Sequence, residues 1–312
     1  MSVWRQYFFA LTLLLVAVTP VSAGVETLGQ VRLPVPDRGT DSRNEAIAQG
    51  LEQVLIRLSG QPAAATMPGA DRLLGSPARW VQQFGYETRE PEVVDPETQD
   101  PELVIDDEPP IEPVLELAVQ FDVSAVLSAM ERASLPIWST HRPPVLVWLV
   151  IQRPGFGEIL SGDQVDPSRE ALEQEAVRRG LPLMLPGMDD RDRAVITPAD
   201  IRGRFDQVLD QASQPYAARF RLAAVIYTGN QPTARWRLLD GTRQVSEGEL
   251  QGEDEQQLIG QLVNAVSDYF VARYTVTAGA GVEQRLTVRG ISNLNHWRTL
   301  EQFLSGLAGM RQ

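Results

Sequence analysis

Apolar positions recur with the strand period in some stretches and the helical period in others, and each stretch names an element. Gly24 to Pro36 predicts a strand, and after it Ile47, Leu51, Val54, Leu55 and Leu58 fall on one helical face. Ser42 with Glu45 three residues later forms a capping box for that helix, and Gly60 ends it. Ser76-Pro77 opens a short helix carrying Trp80, Val81 and Phe84, and the chain turns at Gly85. Leu115, Leu117, Val119, Phe121 and Val123 then alternate with Glu116, Gln120 and Asp122 as a half-buried strand should, and Ser124 caps a helix bearing Val126, Leu127 and Met130. This order predicts a small α+β sheet with helices on one face.

The second half alternates more regularly. Val145 to Gln152 is a near-continuous apolar run bounded by prolines, the pattern of a central strand buried on both faces. Asp166-Pro167 starts a helix through Leu172, Ala176 and Val177 that stops at Gly180, and Leu181 to Leu185 is a short strand. Thr197-Pro198 opens a helix with Ile201, Phe205, Val208 and Leu209 on one side. Phe220 to Thr228 is a strong strand, and Asp240-Gly241 joins two further strands as a hairpin. A long helix follows, with Leu258, Ile259, Leu262, Val263, Val266 and Phe270 on its apolar face. The order β-α-β-α-β-β-β-α predicts an α/β sandwich. Arg285 to Gly290 as strand and Asn293 to Leu307 as helix, with Trp297, Leu300, Leu304 and Leu307, make a short β-α unit that stops where a partner strand is expected.

Composition changes this picture at both ends of the first half. Met1 to Ala23 has a single Arg5, an apolar run from Tyr7 to Val18, Pro20 and the small-residue pattern Val21-Ser22-Ala23, which reads as a secretory signal peptide cut after Ala23. Between Glu87 and Glu116 twelve acidic residues face one Arg89, a local charge of −11 in a chain of −13. Six prolines from Pro91 to Pro113 interrupt that segment, so it is expected to be a solvated loop between two neighbouring antiparallel strands. The expected division is therefore a signal peptide at 1–23, an α+β domain at 24–136 with its acidic proline-rich loop at 87–113, an α/β domain at 137–275 and a β-α unit at 280–312. No later stretch is long and apolar enough to cross a membrane. The negative balance argues against nucleic acid as a partner, and zero cysteines exclude disulfides, thiolate metal sites and a cysteine nucleophile. The expected location is the periplasm of a Gram-negative cell.

Three stretches, LPIWSTHRPPVLVWLVIQ from Leu135, RRGLPLMLPGMDDRDRAVITPADI from Arg178 and YAARFRLAAVIYT from Tyr216, resemble the bacterial domain-of-unknown-function family 2066. That resemblance implies architecture and no established activity. The order of elements from Val145 to Tyr274 is also similar to TolB amino-terminal and CsgG-like envelope domains, and the helix around Glu45 to Leu58 resembles the amino-terminal domains of the flagellar protein FlgT.

Candidate chemistry is sparse. Only His141 and His296 are present, and no nucleophile-elbow pattern accompanies the Ser139-Thr140-His141-Arg142 run. Trp138 and Arg142 lie just before the buried strand, where an arginine can clamp a carboxylate of a ligand or partner, or else pair with an acid of the 189–192 turn while Trp138 plugs the domain junction. Asp189, Asp190 and Asp192 alternate with Arg191 and Arg193, a spacing unlike a calcium loop, and Gly155-Phe156-Gly157 reads as a turn. The candidate binding residues are Trp138, His141, Arg142, Arg179, Asp189 and Asp192, with no catalytic residue, metal or cofactor assigned. Aromatic, Arg and Pro residues favour a non-catalytic interaction or scaffold module with an envelope protein partner. The alternative is a small-ligand binder or hydrolase using a cleft near Arg142, Arg179 and Asp189.

Overall fold

The computed structural model describes residues 25–89, 113–140, 142–277 and 286–305. The leader, most of the acidic segment and His141 lie outside them.

A short helix α1 (Val25–Leu28) takes the start of the expected first strand, leaving β1 as Gln30–Pro34. Helix α2 runs Thr40–Ser59 and begins ahead of the expected capping box, because the Asp37 carboxylate accepts the Gly39 N–H (2.7 Å) and turns the chain early. Ser42 and Glu45 therefore sit inside the helix. Helix α3 (Asp71–Leu74) and a single 3₁₀ turn at Pro77–Trp80 follow. Val81 and Phe84, expected in a helix, belong instead to β2 (Val81–Arg89), which pairs antiparallel along β3 (Val114–Phe121). Long-range pairing wins over the local pattern here. β3 lies between β1 and β2, so the segment expected to be an acidic loop connects antiparallel neighbours. Helix α4 (Val123–Arg132) is capped by Asp122, whose carboxylate accepts the Ala125 N–H (3.0 Å); Ser124 is not the cap. Leu51, Val54 and Leu58 of α2 share one core with Leu117 and Phe121 of β3 and Met130 of α4.

The chain then runs through β4 (Pro136–Trp138), β5 (Val145–Arg153), β6 (Phe156–Ile159), α5 (Pro167–Arg179), β7 (Leu183–Met184), α6 (Asp190–Val195), α7 (Pro198–Arg202), α8 (Asp206–Ser213), β8 (Phe220–Tyr227), β9 (Thr233–Asp240), β10 (Arg243–Gln251), α9 (Glu255–Tyr274), β11 (Thr275–Thr277) and α10 (Leu294–Ser305). A six-stranded mixed sheet has the order β10-β9-β8-β5-β6, with β7 also pairing β5. β5 is central, and alternate residues serve two cores. Val145, Val147, Leu149 and Ile151 pack with α5 and α9, while Leu146, Trp148 and Val150 pack with Ile196, Ile201 and Leu209 of the α6–α8 layer. β4 and β11 form a separate two-stranded ribbon.

Three further expectations change. The Gly155 turn opens a β5–β6 hairpin, so Phe156 and Gly157 are strand residues. The helix expected from Thr197 to Leu209 divides at Arg204, whose φ is 59°, and Phe205 is exposed. Residues 286–290 form no strand, although α10 follows as expected. The mixed α+β and α/β class is as read from the sequence.

Candidate functional site

Both α2 and α5 end on a left-handed glycine, Gly60 (φ 68°) and Gly180 (φ 65°), where the last carbonyls of a helix lack internal partners. Three arginines converge on these ends. Arg57, in the last turn of α2, donates through Nε to the Val177 carbonyl (2.9 Å) and through Nη1 to the Gln30 carbonyl (2.6 Å). Arg142 donates through Nη1 to the Gly180 carbonyl and through Nη2 to the Arg57 carbonyl (2.9 Å), and lies 4.1 Å from the centre of the Trp138 ring. Arg179 is only 1% exposed and donates to the Gly60 carbonyl (2.9 Å) and, on α9, to Asn264 and Asp268 (2.6 Å). The partial negative charge at each helix C-terminus suits these cations. Burial pushes the Arg142 guanidinium down to about 9, with the charge of Arg57 adding to the effect, and burial alone pushes Arg57 down to about 10. The carbonyls of the two helix ends offset that desolvation.

Trp138 is buried beneath this clamp, stacked with Phe270 of α9 at a centroid distance of 6.4 Å. The structure thus brings Trp138, Arg142 and Arg179 together. The guanidinium bonds of Arg142 go to backbone carbonyls and those of Arg179 to the Gly60 carbonyl and α9, while Trp138 Nε1 and Arg179 Nε are buried without a partner. Asp189 and Asp192 do not join them. Asp189 caps α6, accepting the N–H groups of Arg191 (2.9 Å) and Asp192 (3.0 Å), and these bonds, chiefly that from Asp192, hold its carboxyl below the usual range. Asp192 is buried and accepts the Tyr216 hydroxyl (2.5 Å), which itself accepts the Gly187 N–H (2.9 Å). Burial, then the bond to Asp192, pushes the Tyr216 phenol up to about 12. Both aspartates belong with α6, which packs on the opposite face of the six-stranded sheet from α5. The expected pairing of Arg142 with this turn and the expected cleft of Arg142, Arg179 and Asp189 are therefore corrected: α5 and α6 cover opposite faces of the sheet and carry the two groups apart.

A cleft of about 630 Å³ opens elsewhere, between the end of β6 and α6–α7, with Glu158, Ser161, Asp163, Gln164, Arg193 and Thr197 on its walls. Glu158 is held by Arg153 (2.7 Å). Among the described residues no group of three or more His, Asp or Glu side chains is placed to hold a metal ion, and no helix is long and apolar enough to cross a membrane.

Sequence reasoning missed Arg57, Arg221 and Arg237. Arg221 and Arg237 are buried in β8 and β9 and ion-pair with Asp210 (2.5 Å) and Asp206 of α8. Their signal was visible as arginines beside apolar residues in strand runs, with acids four residues apart in the preceding helix.

Residues 22–139 match the model of a family described as a domain of unknown function, DUF8605. No curated protein matches the chain. Among solved structures, it is similar to the lipoprotein GNA1162 from Neisseria meningitidis, at 15% identity over 42% of this chain and 97% of that one, with a TM-score of 0.26. It is also similar to the LpoB C-terminal domain from Salmonella enterica, at 13% identity over 42% of this chain and 94% of that one, with a TM-score of 0.25.

Proposed function

We propose that this chain is a non-catalytic, exported protein-interaction module of the bacterial cell envelope, working in the periplasm after its leader is removed at Ala23. The observation that carries this reading is α10. Leu294, Trp297 and Phe303 are 63%, 52% and 49% exposed on that helix, and Leu286 and Val288 are exposed just before it. Large apolar side chains gathered on one exposed segment mark a contact surface. With Arg298 its one arginine and Glu301 its one acid, the helix lacks the basic face that holds amphipathic helices on anionic lipid, so the partner is a protein offering an apolar groove. Trp138, a candidate binding residue on sequence, is 1% exposed and unsuited to a surface contact.

The same reading keeps residues 24–136 and 137–275 as two domains joined at the arginine clamp, keeps the likeness to family 2066 over nearly the whole mature chain, and keeps the likeness to TolB amino-terminal and CsgG-like domains as its account of the second. Convergence of Arg142, Arg179 and Asp189 was the premise of the ligand-binding or hydrolytic alternative, and that premise fails.

The test is photocrosslinking in the native host, with the crosslinking residue placed at Trp297 or Leu304. The expected result is a discrete conjugate with an envelope protein in the periplasmic fraction, lost when Leu294 and Phe303 are replaced by Asp. Absence of a conjugate from both positions refutes the reading.

A further inference from the structure

The α6–α8 layer covers β5, β8 and the Arg237–Leu239 part of β9 but leaves Arg235 of β9 and Glu247 and Glu249 of β10 exposed. There a groove of about 390 Å³ runs between α7 and strands β8–β10. Its floor is apolar, with Ala223 and Val225 of β8 beside Ile201 of α7. Its walls carry Arg202, Arg204, Arg235 and Arg237 against Glu247 and Glu249, a positive balance in a chain whose net charge is −13.

The state of each guanidinium matters more than the count. Arg202 donates to the neutral Gln152 side chain. Arg204 pairs with Glu247 (2.7 Å) and Arg235 with Glu249 (3.1 Å), and all four of these side chains are more than half exposed. Exposed pairs of this kind are weakly held, so an incoming carboxylate can exchange with the glutamates. Arg237 differs. It is 5% exposed, one terminal nitrogen is engaged by Asp206, and the other is buried with no hydrogen-bond partner. It stands directly opposite Glu247 in the β9–β10 register and lines the same groove as the Arg204–Glu247 pair.

We propose that this groove binds an extended, carboxylate-rich peptide segment of a partner protein, its acids on Arg202, Arg204 and Arg235 and its intervening apolar side chains on the floor. Guanidinium forks suit carboxylates in bidentate geometry. A nucleic acid is a poorer fit, because its unbroken phosphate row meets Glu247 and Glu249 and offers nothing to Ala223 and Val225. The proposal extends the interaction reading to a second surface remote in sequence from α10, and its test leaves α10 unchanged, so each can fail alone.

The experiment uses the full chain and a fluorescein-labelled dodecapeptide alternating Glu and Val, read by fluorescence anisotropy at low salt. The expected result is saturable binding that weakens at least about tenfold in the double variant Arg204→Glu, Arg235→Glu, while the thermal midpoint stays near that of the unmodified protein. A Lys–Val peptide of the same length is expected not to bind. Equal binding of both peptides, unchanged binding in the double variant, preference for a single-stranded oligonucleotide, or no binding at all overturns the proposal. Binding that emerges only when residues 90–112 are deleted also overturns it, by assigning the groove to the acidic run of this chain itself.

Discussion

Arg142 brings a full charge to a site where its hydrogen-bond partners, the carbonyls of Trp138, Ser139, Gly180 and Arg57, are all backbone. Removing the side chain strands those acceptors in a buried junction, and unmet buried groups cost on the order of 1–3 kcal/mol apiece. Arg142→Ala is therefore expected to lose about 3 kcal/mol of stability or more, measured as a fall in the urea midpoint. Arg142→Lys is expected to recover less than half of the loss, because one ammonium cannot span two helix ends. Tyr216 gives a pH-dependent counterpart. Its phenol is raised to about 12 from the ordinary 10.0. A raised folded-state value means that the contribution of Tyr216 is whole below pH 10 and drains away as pH climbs through 12. Subtracting the alkaline absorbance titration of Tyr216→Phe from that of the parent is expected to leave one late component near pH 12; a component near 10 would contradict the burial of the phenol and its bond to Asp192.

Helix ends decide how the elements meet. Gly180 holds φ 65°, and a Cβ there would run into Arg142 Nη1 and come within 2.7 Å of the Arg57 carbonyl. Gly155 is also left-handed, at φ 78°, but a Cβ there meets nothing within 4 Å. Gly155→Ala is thus expected to lose only the backbone strain, on the order of 1–3 kcal/mol, and Gly180→Ala clearly more. The difference in thermal midpoint between the two variants reads the clamp separately from the turn. Helix α8 docks by a related device. Asp206 and Asp210 stand four residues apart and meet Arg237 and Arg221, which lie diagonally on β9 and β8. The helical and strand periods match there, which explains why buried charged residues occur inside these two strands.

At the scale of the whole molecule, Arg179 ties the C-cap carbonyl of α2 to α9, and Arg57 ties the last turn of α2 to α5. Two cores linked by so many buried hydrogen bonds are expected to unfold together. Calorimetry of the parent should give one transition with equal calorimetric and van't Hoff enthalpies. Arg179→Met keeps most of the volume, removes the bonds to Gly60, Asn264 and Asp268, and is expected to split or broaden that transition. A single sharp transition in the variant would mean that the clamp does not couple the cores. Much of this architecture was legible in one dimension. The run Val145 to Ile151 announced a strand buried on both faces, Gly60 and Gly180 announced helix ends, and the alternation from Leu115 to Phe121 announced a half-buried strand, because periodicity and glycine conformation are local properties of the chain. What local properties could not carry was partnership. Val81 and Phe84 became strand because β3 lay beside them, and Asp189 parted from Arg142 because α5 and α6 pack on opposite faces of the sheet. The partner of a buried guanidinium is chosen by which carbonyls the packed helices bring within reach, and that choice exists only once the chain has folded.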